Sequence, residues 1–74
     1  MLLTKRQYDV MLLVCEGHGT KLIADKLGIA EGTAKFHVIK AMRRLKADTR
    51  TLAAVRFTLM NTDAIRARVQ VIHQ

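Results

Sequence analysis

The chain has 74 residues, a formal net charge of +7 and a pI near 10.4. That length gives one small domain, close to the lower limit for burying a self-sufficient core, and that charge favours a polyanionic partner. A single cysteine excludes an internal disulfide, residues 10–15 are apolar but too few to cross a bilayer, and no signal-peptide pattern is visible, so the expected location is the cytoplasm.

Half of the residues are hydrophobic, only 4% are aromatic and proline is absent, a balance that suits helices better than a sheet. Thr4 and Gln7 stand at capping-box spacing and predict a first helix over residues 5–16, with Val10, Leu13 and Val14 on its core face. Met11, Leu12 and Cys15 extend the apolar surface beyond one stripe, Cys15 being read as a small core residue. Gly17 and Gly19 end this helix, and Thr20 is expected to cap a second, whose apolar face is Leu22, Ile23 and Leu27. Gly28 and Ile29 turn the chain into a third helix over residues 31–46, giving a helix-turn-helix. Its N-cap is Ala30, which offers no side-chain oxygen, a deficit that Glu31 offsets in part through the helix dipole. Asp48 and Thr49 can cap a fourth helix over residues 50–60, carrying Leu52, Val55 and Leu59 at i, i+3 and i+7. Asn61 and Thr62 break the chain, and Ile65, Val69 and Ile72 predict a fifth helix to residue 74.

The third helix carries the functional signal. Ala34, Val38, Ala41 and Leu45 repeat at helical spacing and form a core face, whereas Lys35, Lys40, Arg43, Arg44 and Lys46 follow one another with no acidic residue between. Cations opposite a conventional core face suit double-stranded DNA rather than a membrane, where a broad lipid-facing stripe is expected. Lys35, in the first turns, is the candidate for a base edge. Thr33, Lys40, Arg43 and Arg44 are candidate phosphate contacts, and Thr20 and Lys21 at the start of the second helix can hold another phosphate through hydroxyl, ammonium and free amides. His37, beside the core face, reads as a boundary residue or a phosphate contact rather than a pH switch. Phe36 and Ile39 fall on the outward face, where an apolar side chain can touch a thymine methyl in the groove or dock on another protein.

His18 and His73 lack ligand spacing with Cys15 or each other, so neither metal nor cofactor is expected. No activated nucleophile, paired carboxylate or glycine-rich phosphate loop is present, and a core this small leaves little room for a pocket. The expected protein is therefore not an enzyme and takes no small-molecule ligand.

Residues 3–55 resemble the LuxR-type (GerE-like) helix-turn-helix domain of bacterial transcription regulators. Leu3, Thr4, Arg6, Val10, Gly17, Lys21, Ile23, Ala24, Leu27, Ile29, Thr33, Lys35, His37, Leu45, Arg50 and Ala53 match its pattern in order and spacing. Gln7, Asp9, Gly19, Thr20, Ala30 and Ala34 depart from it without threatening the fold. The resemblance implies an all-α, four-helix domain, taken here as residues 1–60, to which the spacing of residues 61–74 adds a C-terminal helix beyond the matched region. It also implies DNA binding at the bacterial nucleoid as a homodimer, with the third helix in the major groove and the fourth in the dimer interface, which nominates Leu52, Val55 and Leu59. Ile65, Val69 and Ile72 would either bury against Met11 and Leu12 or pair across a two-fold axis. The competing reading is a small antagonist that uses Phe36 and Ile39 to sequester a related regulator or to contact RNA polymerase.

Overall fold

The structure, a computed structural model, describes residues 2–63. They form α1 (Lys5–Cys15), α2 (Thr20–Leu27), α3 (Glu31–Arg44) and α4 (Arg50–Met60), with no strand among the described residues. The all-α, four-helix reading is thus met, while the fifth helix with Ile65, Val69 and Ile72 lies outside the described residues.

Capping chemistry sets most of the boundaries. At α1 the Gln7 amide donates to Thr4 Oγ1 at 3.2 Å and the Thr4 amide donates to Gln7 Oε1 at 3.1 Å, the reciprocal box expected from the sequence. Thr49 caps α4 by accepting the Leu52 amide at 3.1 Å. Thr20 does not cap α2. Gly19 holds that position in extended backbone, because its carbonyl already accepts the first helical bond from Ile23 at 3.0 Å.

Three helices end in the same hydrogen-bonded loop, in which two amides fold back onto the last free carbonyls. After α1, Gly17 and His18 donate to Val14 and Leu13; after α2, Gly28 and Ile29 donate to Asp25 and Ala24; after α3, Lys46 and Ala47 donate to Arg43 and Met42. The loop needs a left-handed residue, and Gly17 and Gly28 supply it at no steric cost. At the end of α3 the position belongs to Lys46, with φ of 54°. The helix therefore stops at Arg44, short of the expected Lys46, and Lys46 leaves the basic face. A side chain in this conformation costs roughly 1–2 kcal/mol, partly balanced by the greater unfolded-state freedom of glycine. Lys46→Gly is accordingly expected to raise stability by about 0.5–1 kcal/mol in urea unfolding, and a loss of stability would contradict this account of the turn.

Around this frame α1 packs on α2, α3 and α4, and α3 packs on α2 and α4. The core consists of Leu3, Val10, Met11, Ile23, Ala24, Ala34, Val38, Ala41, Leu45, Ala47, Ala53 and Phe57. Ala34, Ala41 and Ala53 are fully buried, and their small side chains let the helices approach closely. Phe57 is the largest fully buried side chain, its ring 5.2 Å from that of Tyr8 in an edge-to-face contact.

Several sequence expectations shift. Met11 is fully buried rather than peripheral, Leu13 and Val14 are only partly buried, and Leu22 points outward. Cys15 is half-buried at the rim of the core, with Sγ 3.8 Å from the Ala54 carbonyl and 3.7 Å from Thr58 Oγ1. Burial pushes its thiol pKa up, the Thr58 hydroxyl opposes this, and the charge of Glu16 adds to it. The thiol is thereby kept protonated at neutral pH and poorly nucleophilic.

Candidate nucleic-acid interface

Once Ala34, Val38, Ala41 and Leu45 are buried, helical geometry turns the remaining α3 positions outward. Thr33, Lys35, Phe36, Ile39, Lys40, Arg43 and Arg44 are all exposed, and His37 is half-buried at the boundary. Phe36, Ile39, Lys40 and Arg43 follow i, i+3, i+4 and i+7 spacing, so they form one strip along the helix. Ion pairs among the described residues join Lys5 and Arg6 to Asp9, both within α1, and leave the outward face of α3 uncancelled. That face also brings an aromatic ring against a cation. The Lys40 ammonium stands 5.5 Å from the Phe36 ring centroid, and the His37 ring lies 5.9 Å away at 65°.

Thr20 and Lys21 come from a different element, the first turn of α2. Lys21 is exposed, whereas Thr20 is half-buried and its hydroxyl accepts a hydrogen bond from Arg50 Nη1 at 3.0 Å. Arg50 Nη2 donates to the His18 carbonyl at 2.8 Å. Arg50 thus ties the start of α4 to the start of α2, a role that sequence reasoning missed. The available signal was an arginine at the first position of a helix, where its charge is unfavourable to the dipole and demands another explanation.

On α4 the inward residues are Ala53 and Phe57, both fully buried. Leu52, Val55 and Leu59 are exposed, Leu59 at 74%, so this stripe lies on the surface of the described residues. Among the described residues no group of three or more His, Cys, Asp or Glu comes together to hold a metal, and no helix is long and apolar enough to cross a membrane.

Comparison with known proteins agrees with this architecture. The family described as "Bacterial regulatory proteins, luxR family" matches residues 1–57. The nitrate/nitrite response regulator protein NarL of Escherichia coli is 40% identical over 53 residues, which are 72% of this chain and 24% of NarL. The transcriptional regulatory protein DegU of Brevibacillus brevis is 33% identical over 54 residues, covering 73% of this chain and 23% of DegU. The spore germination protein GerE of Bacillus subtilis is 39% identical over 59 residues, 80% of both chains. The match therefore spans about a quarter of NarL and of DegU and most of GerE.

Proposed function

This chain belongs to the luxR family of bacterial regulatory proteins and carries its helix-turn-helix DNA-binding domain, and from that premise we propose that it regulates transcription by placing α3 in the major groove of double-stranded DNA. The observation that carries the proposal is the outward face of α3, where exposed Lys35, Lys40, Arg43 and Arg44 surround an exposed apolar pair on a helix supported by α2. Lys35 reaches a base edge near the N-terminal end of the helix, while Lys40, Arg43 and Arg44, with Thr33 and His37 at the margins, neutralise phosphates. Lys21 and Thr20 hold a backbone phosphate at the start of α2, the Thr20 hydroxyl hydrogen remaining available because Arg50 uses only an oxygen lone pair. The protein works in the cytoplasm on the nucleoid as a homodimer, with Leu52, Val55 and Leu59 of α4 in the interface.

Binding to a panel of duplexes at fixed salt, read by fluorescence anisotropy, separates the roles. Lys40→Ala with Arg43→Ala is expected to weaken binding to every sequence alike, whereas Lys35→Ala is expected to lose about 1–3 kcal/mol of discrimination at one base pair. Equal loss of discrimination from both changes would overturn the assignment.

A further inference from the structure

Phosphate chemistry makes no use of Phe36 and Ile39. They lie one turn apart on α3, 55% and 38% exposed, between Lys35, Lys40 and Arg43. Apolar surface held in water gains free energy when a partner covers it, and a partner that covers this pair must also accommodate the cations around it. The core of a protein interface is depleted in charge and fits poorly. The major groove fits well, since its phosphates meet the cations and its floor displays one aliphatic group, the C5 methyl of thymine. The Lys40 ammonium and the His37 ring both lie beside the Phe36 ring, so charged and apolar groups would meet the groove at one place. Residues at i and i+3 stand about 5–6 Å apart at Cβ, and successive bases of one strand rise about 3.4 Å. One patch therefore covers a two-base step.

We infer that Phe36 and Ile39 form a reader of 5-methylpyrimidines at two adjacent bases, which favours thymine over uracil and 5-methylcytosine over cytosine. The affinity of the chain for its site then responds to cytosine methylation as well as to sequence. This inference rests on the reading that α3 enters the major groove. Lys40, Arg43 and Arg44 supply affinity without sequence information, and the apolar pair adds its discrimination to that of Lys35.

The test uses the complete chain and a duplex selected from a random pool at fixed salt, with thymines of that duplex replaced one at a time. Thymine to uracil at a read position is expected to lower affinity about fourfold, the worth of one buried methyl. Thymine to cytosine lowers it further, and 5-methylation of that cytosine restores about fourfold. In the Phe36→Ala, Ile39→Ala double variant the thymine and uracil duplexes should bind alike, with salt-dependent binding retained. The uracil series leaves the protein untouched, so its result is independent of how the variant folds. Salt-dependent binding with no uracil effect at any position overturns the inference and leaves the DNA reading standing. So does a uracil effect that persists in the double variant, or a selected site without a pyrimidine step. Loss of a protein association in the double variant, with DNA binding unchanged, overturns it in favour of a protein partner. Absence of salt-dependent binding to any duplex overturns the DNA reading itself and the inference with it.

Discussion

Phe57→Ala is expected to remove most of the stability of the fold. Removing a fully buried phenyl ring costs about 3–5 kcal/mol when the surroundings cannot collapse into the space, and the total stability of a domain this small is only about 5 kcal/mol. Collapse is blocked here because Phe57 packs against Tyr8 of α1, at 5.2 Å, and α1 is already held by α3. Met60→Ala, three positions further on α4, removes a side chain that is 53% exposed and should change stability by no more than about 0.5 kcal/mol. Circular dichroism through a urea titration distinguishes the two. A Phe57→Ala variant that still unfolds cooperatively with a midpoint near that of the parent would refute this account of the core.

Affinity for duplex DNA is expected to fall by about two to three orders of magnitude between roughly 50 and 200 mM salt, if each protomer engages ~4–6 phosphates. The outward cations of α3 and Lys21 of α2 supply these contacts, and each neutralised phosphate releases counterions whose return is favoured by added salt. The logarithm of the binding constant should decline linearly with that of salt concentration, with a slope of about −4 to −5 per protomer. A slope near zero would show that the basic face does not meet the DNA backbone. Replacing Lys40 and Arg43 by glutamine should flatten the slope by about two units, whereas Phe36→Ala should leave it unchanged.

The regular parts of the fold were legible in the chain because they follow from local chemistry. The Thr4–Gln7 box, the uncapped start of α3 at Ala30, the turn at Gly28 and the buried face of Ala34, Val38, Ala41 and Leu45 all match the structure. Each rests on spacing within one or two turns of helix. The errors cluster where a residue answers to a different element. On α4 the sequence showed the stripe of Leu52, Val55 and Leu59, the candidate interface, but not that Ala53 and Phe57 face the core. Hydrophobicity alone does not orient a helix that is apolar on several sides. Thr20 carries a side chain suited to capping, but its hydroxyl accepts Arg50 from α4, thirty positions away in the chain. Lys46 continues the helical pattern, but the chain must reverse to bring α4 back against α1, and that reversal imposes a left-handed residue there.

For the candidate site the division is similar. Sequence by itself determined the helix-turn-helix, the charge of α3 and the outward position of Phe36 and Ile39, because a period of 3.6 residues and a charge pattern are properties of a single segment. Only the tertiary structure decided that Arg50 binds the start of α2 and that the stripe on α4 remains at the surface. Both depend on how α4 docks. The small side chain of Ala53 permits close approach and the ring of Phe57 fills the space between helices, so rotation of α4 about its axis is set by shape complementarity with α1, which no segment contains alone.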